Sequence, residues 1–134
     1  MALGVALQLA MPLPFCPRTF NAAVGAALEV MGIALFISSV GKFRAAGTAV
    51  PANKPTTAIV RTGPYRFSRN PIYLAFSLVQ LGIAVWVDSL WLIATLVAAA
   101  AVMHFVVIRR EEHYLERKFG AQYLDYKASV RRWL

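Results

Sequence analysis

The segment RTGPYRFSRNPIY at residues 61–73 concentrates the side chains that are best able to do chemistry. It holds three arginines and two tyrosines directly before a long apolar run. Gly63-Pro64 predicts a turn, and Pro71 suits the first position of a helix, where no backbone N–H is needed. We expect a cationic turn that ends in a helix N-terminus, which favours an anionic group. Arginines beside a membrane helix also mark its cytoplasmic end, and this segment alone leaves both interpretations open.

A second polar cluster, Arg109-Arg110-Glu111-Glu112, directly follows the last apolar run. Ion pairs of this kind contribute little at a surface, so the cluster has an ordinary interpretation as well. His104 precedes Glu111 by seven residues, and two turns of α-helix place both on one face. A lone histidine in a membrane is more often a packed hydrogen-bonding group than a ligand. No Cys, His and carboxylate set has metal-ligand spacing, so we expect no metal site.

Composition places the chain in a membrane. Of its 134 residues, 59% are hydrophobic and only 15% are charged, whereas a soluble domain of this length carries more charge. Of the 14 lysines and arginines, six fall in residues 41–70 and seven in 109–134, beside apolar runs. This distribution indicates membrane topology and argues against a nucleic-acid partner. Cys16 is the one cysteine, so we expect no internal disulfide.

Four apolar runs predict the helices of a single domain, residues 1–134. They cover residues 3–15, 20–40, 71–87 and 89–108. The first would be about 20 Å long as a helix, less than the ~30 Å hydrocarbon core, so we expect a partial or tilted helix. The last two meet at Asp88-Ser89, which predicts a tight hairpin with either side chain capping the second helix.

The two basic segments, 41–70 and 109–134, must lie on the same side of this hairpin. Their charge predicts that this side is the cytoplasm and that the protein resides in the cell inner membrane. The first is a loop long enough to be functional. The second is predicted to be an amphipathic cytoplasmic helix or pair of helices, broken at Gly120. It would lie on the headgroups, with Trp133 as an anchor, or fold back over residues 61–73. The fold class is an all-α integral membrane bundle.

The helix at residues 20–40 carries one charged side chain and a face of small residues. Gly25 and Gly32 belong to that face, which allows close helix packing, and we also consider a homodimer formed through it. Glu29 lies near the middle of the helix, where a carboxyl group should face the bundle and not lipid. It would be a substrate or proton site, or a protonated structural group.

The two polar clusters together suit a zwitterionic ligand with a positive centre. They offer carboxylates for a cation, arginines for a carboxylate, aromatic faces for an onium group and a helix N-terminus. S-adenosyl-L-methionine is one such ligand, although several amphiphilic ligands would fit the same set.

Spaced motifs in residues 41–134 resemble the membrane methyltransferases related to isoprenylcysteine carboxyl methyltransferase. In chain order they are Gly63-Pro64-Tyr65-Arg66, Arg69-Asn70-Pro71-Ile72-Tyr73, Glu111-Glu112, Phe119-Gly120 and Tyr123-Leu124-Asp125-Tyr126, with the hairpin between the second and third. Phospholipid N-methyltransferases share this core. The order of the motifs is more specific than any one of them.

The resemblance implies S-adenosylmethionine as cofactor, bound from the cytoplasmic side, and a lipophilic small-molecule or lipid substrate that enters from the bilayer. The cofactor-binding residues implied or considered are Tyr65, Arg69, Asn70, Pro71, Tyr73, His104, Glu111 and Glu112. Arg109, near the family's arginine for the substrate carboxylate, and Glu112 are the catalytic candidates.

Asn70 departs from the family, whose prenylcysteine members have histidine in this Arg-His-Pro triplet. An amide cannot act as a base near neutral pH, whereas a carboxylate or thiolate acceptor needs none. We therefore expect O- or S-methylation of a small lipophilic substrate. Phospholipid N-methylation is the first alternative, and a non-catalytic membrane protein that keeps the fold is the second.

Overall fold

The computed structural model describes residues 1–15, 18–48 and 56–134, and this part of the chain is helical without any strand. Cys16 and residues 49–55 of the predicted 41–70 loop lie outside the described residues. The helices are α1 (Ala2–Ala10), α2 (Arg18–Ala45), α3 (Pro71–Trp86), α4 (Leu90–Val102), α5 (Arg109–Phe119) and α6 (Ala121–Ser129), with a 3₁₀ turn at Gly63–Arg66 and a π-helical segment at Met103–Ile108. The predicted all-helical membrane bundle is confirmed.

Among the described residues, two helical stretches are long and apolar enough to cross a membrane, Asn21–Ala45 and Leu90–Phe119. Helix α3 is shorter, with 16 residues, and forms the predicted hairpin with α4. Ser89 caps α4, because its Oγ accepts a hydrogen bond from the Leu92 N–H at 3.3 Å. Helix α2 continues to Ala45, five residues beyond the predicted end at residue 40, with basic side chains in its last turn that favour a helix C-terminus.

Helices α2 and α3 pack with their backbones in close contact, and glycines make this approach possible. A Cβ added at Gly25 would lie 2.8 Å from the Gly82 carbonyl oxygen, and one at Gly32 would lie 2.7 Å from Val79 Cγ2. The small-residue face is therefore used inside the chain. The face that we considered for a homodimer is covered by α3.

Glu29 faces α3, as expected for a carboxyl group in a membrane helix. A Cβ added at Gly82 would lie 2.7 Å from Glu29 Cγ, so the glycine leaves room for this side chain. The Glu29 Oε1 atom is buried and has no hydrogen-bond partner among the described residues.

Helix α1 has nine residues, a length of about 14 Å that falls short of the hydrocarbon core. It packs on α4, where a Cβ at Gly4 would lie 2.8 Å from Thr95 Oγ1. Hydrogen bonds connect the segment after α1 to the hairpin turn. Trp91 Nε1 donates to the Met11 carbonyl at 2.9 Å, and the Phe15 N–H donates to Asp88 Oδ1 at 2.8 Å.

The π-helical segment changes which residues share a face at the end of the hairpin. A π turn accommodates one more residue than an α turn, so the prediction that His104 and Glu111 share a face is wrong. His104 Nε2 lies 3.1 Å from Arg132 Nη1, and Glu112 also contacts Arg132, whereas Glu111 contacts Tyr73. The face of His104 is continued by Glu112, eight residues later.

Helices α5 and α6 fold back over the segment at residues 61–73, which confirms the second of the two predicted arrangements. Gly120 separates them with a positive φ of 53°, a conformation that glycine adopts readily. The Tyr126 hydroxyl donates to the Tyr65 carbonyl at 2.8 Å. Trp133, which we predict to be an interfacial anchor, stacks its ring on His104 at a centroid distance of 6.3 Å.

Candidate active site

A cavity lies where the two polar clusters meet, at the end of the bundle formed by residues 61–73 and α5 and α6. It encloses about 690 Å³ of empty space, part of it open to solvent. Its polar and aromatic lining includes Tyr65, Arg69, Asn70, Tyr73, Glu111 and Glu112. The two clusters are therefore neighbours in space, as the hairpin predicts.

Pro71 and Tyr73 bring the first turn of α3 to this cavity. Pro71 occupies the first helical position, as predicted, so its missing N–H leaves no hydrogen bond unmade. The Tyr73 hydroxyl, two residues further, donates a 2.8 Å hydrogen bond to Glu111 Oε1. This bond links the two polar clusters directly, and it fixes one oxygen of a carboxylate that lines the cavity.

Glu112 lies between two arginines. Arg132 holds both of its oxygens, with Nε 3.0 Å from Oε1 and Nη2 2.6 Å from Oε2. Arg69 Nη1 lies 3.1 Å from the same Oε1, an ion pair that lacks the alignment of a hydrogen bond. The Glu112 side chain is only 6% exposed, so these charges interact with little screening by solvent.

Arg69 has donor capacity that the described residues do not use. Its side chain is 9% exposed, and its buried Nε and Nη1 atoms have no hydrogen-bond partner there. Buried donors without acceptors cost free energy, and a guanidinium matches a carboxylate in geometry. Arg69 also lines the cavity, so this wall of the site contains a buried guanidinium group with unused donors.

Three buried tyrosines give the cavity an aromatic wall. They are Tyr65, Tyr123 and Tyr126, each less than 5% exposed. Burial raises the pKa of all three phenols, so the hydroxyls stay neutral. The Tyr65 hydroxyl is buried and has no hydrogen-bond partner in the described part of the chain. Such faces suit a positively charged or planar group.

Asn70 binds the backbone of a distant segment and does not cap α3. Its Nδ2 donates to the Arg132 carbonyl at 3.0 Å, and the neighbouring Arg69 N–H donates to the Arg131 carbonyl at 2.9 Å. Asn70 thus lines the cavity and also attaches residues 131–132 to the turn before α3.

His104 and Arg109 lie apart from the lining of this cavity. His104 contacts Arg132 and Trp133 deeper in the bundle. Arg109 is exposed, with its guanidinium carbon 5.5 Å from the centroid of the Phe105 ring. The π-helical segment at Met103–Ile108 contains His104 and ends directly before Arg109, so the α-helical spacing assumed in the sequence analysis does not hold across it.

Residues that the sequence analysis did not single out complete the site. Arg132 is the most important of them, followed by Phe43, which packs edge-on against Tyr65 at 5.1 Å. Of the tyrosine wall, Tyr65 was a predicted cofactor-binding residue, and Tyr123 and Tyr126 were named only within a family motif. The helical spacing of Tyr123 and Tyr126 signalled a buried face, whereas no local signal related Arg132 to Glu112, 20 residues earlier.

A second cavity adjoins the first and shares Tyr73 with it. It lies between α3 and α4, encloses about 430 Å³ of empty space and is lined mainly by apolar side chains, among them Phe76, Leu96 and Met103, with Trp133 at one side. Its polar lining is already bonded, since Ser77 Oγ donates to the Tyr73 carbonyl at 2.9 Å and Gln80 Nε2 lies 3.3 Å from Thr95 Oγ1. This cavity suits an apolar group.

In the described part of the chain, no group of three His, Cys, Asp or Glu side chains could hold a metal ion. The fold and the site define a helical membrane protein with a polar cavity at one end of a hairpin and an apolar cavity beside it. A family model described as phospholipid methyltransferase matches residues 20–122. The chain belongs to this family of membrane methyltransferases.

Three curated relatives extend this finding. The nickel-cobalt-cadmium resistance protein NccN of Alcaligenes xylosoxydans xylosoxydans is 33% identical over 97 residues, which are 72% of this chain and 45% of that protein. The cobalt-zinc-cadmium resistance protein CzcN of Cupriavidus metallidurans is 34% identical over 68 residues, 51% of this chain and 32% of that protein. An uncharacterized protein of Haemophilus influenzae is 41% identical over 64 residues, 47% of this chain and its own full length. This chain therefore spans less than half of the two resistance proteins. No solved structure matches.

Proposed function

We propose that this chain is an S-adenosylmethionine-dependent methyltransferase that acts on a small lipophilic acceptor at the membrane surface. One observation carries the proposal: Arg69, the Glu111 carboxylate and the tyrosine wall line one cavity. These groups match the three recognisable parts of the cofactor, which are a carboxylate, an ammonium and an onium centre next to a planar base. When bound, the cofactor would supply a methyl group on a positively charged sulfur. A nucleophile of the acceptor would bond to the methyl carbon as the C–S bond breaks, and S-adenosylhomocysteine would be the leaving group.

The residues divide the binding work by charge. Arg69 would hold the ligand carboxylate, and Glu111, oriented by the Tyr73 hydroxyl at 2.8 Å, would hold the ammonium. The aromatic wall would cover the sulfonium and the adenine. Because both oxygens of Glu112 are engaged by Arg132, Glu112 is less suited to a ligand than Glu111. The catalytic roles of Glu112 and Arg109 stay predictions.

The apolar cavity beside Tyr73 is our proposed site for the acceptor. Its lining would take an acyl or other hydrocarbon group, and the shared wall at Tyr73 would bring the reacting atom of the acceptor toward the cofactor cavity. The polar end of the bundle would face the cytoplasm of a cell inner membrane, on the charge argument given by residues 41–70 and 109–134. Positioning and exclusion of water would be the main contributions of the protein to rate.

Calorimetric titration of the detergent-purified full chain with S-adenosylmethionine and S-adenosylhomocysteine tests this proposal. Micromolar binding of either supports it. No binding by protein whose circular dichroism shows intact helices would contradict it and favour a non-catalytic membrane protein.

Phospholipid N-methylation is a second candidate, because the matching family model carries that description. Transfer of labelled methyl groups to phosphatidylethanolamine in defined vesicles would distinguish it from transfer to a lipophilic carboxylate or thiol. The amide of Asn70 supplies no base for an amine acceptor, which is why we place this candidate second.

A contribution to metal resistance is a proposal at the level of the cell, drawn from the printed names of two relatives. Growth in graded nickel, cobalt or cadmium, with the intact gene and with a Glu111→Gln variant, tests it. Equal growth of the two strains would contradict a contribution of this chain to metal resistance.

A further inference from the structure

Residues 131–134 lie beside both cavities. Arg132 reaches Glu112 in the wall of the polar cavity, and Trp133 lines the apolar one. Their backbone is fixed to the turn before α3, because the Arg69 N–H and the Asn70 side chain donate to the carbonyls of residues 131 and 132 at 2.9 and 3.0 Å. The matched family region ends at residue 122, before this segment begins.

The charges around Glu112 do not balance. One carboxylate lies between two guanidinium groups, and Arg132 takes the better geometry, with contacts of 3.0 and 2.6 Å to its two oxygens. Arg69 is left with an ion pair at 3.1 Å and with buried Nε and Nη1 donors that have no hydrogen-bond partner among the described residues. A buried cation in this condition favours an additional anion.

We propose that Arg132 is a positioning residue that keeps Arg69 available for the ligand carboxylate by engaging Glu112. Without Arg132, the Glu112 carboxylate is free to turn toward Arg69 and fill its donors. The ligand carboxylate would then lose its partner. The identity of the ligand rests on the proposed function, whereas the competition between the two arginines rests on the distances above.

His104 supports Arg132 from the other side. Its Nε2 lies 3.1 Å from Arg132 Nη1, and its Nδ1 lies 3.0 Å from Trp133 Nε1. A neutral imidazole has a single acceptor nitrogen, so it accepts from one of these two donors at a time. The stacked Trp133 ring, inclined by 13°, holds the histidine beside the segment in either case.

The test compares two ligands that differ in one group, S-adenosylmethionine and its decarboxylated analogue. Arg132→Gln and Arg131→Gln in the full chain are a matched pair, since Arg131 is exposed and contributes only its backbone carbonyl to the contacts described. We expect wild type and Arg131→Gln to prefer the carboxylate-bearing ligand by about tenfold to a hundredfold, the range for hydrogen bonds to charged groups. Arg132→Gln should reduce this preference to less than about threefold.

If Arg132 had only a structural role, Arg132→Gln would weaken the binding of both ligands equally and keep the ratio of their affinities. That result would overturn the inference. His104→Phe, which removes the Nε2 contact and keeps an aromatic ring against Trp133, provides a second variant if Arg132→Gln does not fold. It should lower the same ratio by a smaller factor. Failure of folded wild-type protein to bind either ligand would overturn the proposed function, and with it the role of Arg132 in binding. Wild-type binding with an unchanged ratio in both variants would overturn the inference alone.

Discussion

Glu111 and Glu112 are consecutive in the chain, yet their surroundings differ in kind. Glu111 accepts one hydrogen bond from a neutral phenol and lines the polar cavity, whereas Glu112 is 6% exposed and contacts two guanidinium groups. Successive residues of a helix point about 100° apart, so the two carboxylates have different partners although both line one cavity. The difference teaches that neighbouring carboxylates can divide two tasks: Glu112 contacts the two arginines, and Glu111 is the carboxylate that we propose for the ligand.

The largest expected effect is on stability at Glu112. Glu112→Gln removes the counter-charge of the buried Arg69 and of Arg132, and breaking such a pair on one side costs about 3–5 kcal/mol. Denaturant unfolding of the purified protein measures it. Glu116→Gln on the same helix is the control, because its pair with Lys127 is partly exposed at 2.6 Å and should contribute about 0–1 kcal/mol. Equal losses of unfolding free energy in Glu112→Gln and Glu116→Gln would contradict this prediction.

Glu111→Gln should act on binding and not on stability. Among the described residues, its carboxylate accepts one hydrogen bond, from Tyr73, which an amide oxygen can also accept. We expect S-adenosylmethionine affinity to fall about tenfold to a hundredfold, as for loss of a charged hydrogen bond, with an unfolding midpoint near that of wild type. Calorimetry and unfolding on the same preparation measure both. Unchanged affinity in Glu111→Gln would mean that another group of the protein binds the ammonium of the ligand.

Tyr73→Phe should have a smaller effect in the same direction. It removes the hydroxyl that orients Glu111 at 2.8 Å and keeps the ring, so affinity should fall by about 3- to 10-fold. In a double variant with Glu111→Gln, the two losses should not add, because both act through one carboxylate. Additive losses in calorimetry would mean that Tyr73 contacts the ligand independently.

The local parts of this site were predictable from the sequence. Pro71 at the start of α3, the hairpin at Asp88-Ser89 and the break at Gly120 each depend on a backbone property of one or two residues. The meeting of the two polar clusters followed from the hairpin alone, since its two ends must lie on one side. The small-residue face of α2 was identified as well, and its partner proved to be α3.

The parts that escaped prediction are long-range or depend on helix phase. The hydrophobic pattern of residues 103–108 does not distinguish a π-helical segment from an α-helix, so the helix phase after it was not predictable. His104 and Arg109 lie outside the cavity lining. Arg132 was counted as a topological charge and Trp133 as an interfacial anchor. Their actual partners, Glu112 and His104, lie 20 and 29 residues earlier, where side-chain spacing carries no information about contact.

The smallest expected change in the free protein is at Tyr65, on the aromatic wall that faces Glu111 across the cavity. Its hydroxyl is buried with no hydrogen-bond partner among the described residues, and burial raises its pKa, so it stays a neutral donor at working pH. Tyr65→Phe should change the unfolding free energy by less than about 1 kcal/mol, because no hydrogen bond is lost. Tyr126→Phe is the matched control: its hydroxyl donates to the Tyr65 carbonyl at 2.8 Å, so its removal should cost about 0.5–1.5 kcal/mol.

If the Tyr65 hydroxyl binds the ligand, Tyr65→Phe lowers the affinity for S-adenosylmethionine by about 3- to 10-fold without a further change in stability. Equal affinity in Tyr65→Phe and wild type would confine the polar contacts of the cavity to Arg69, Glu111 and Tyr73.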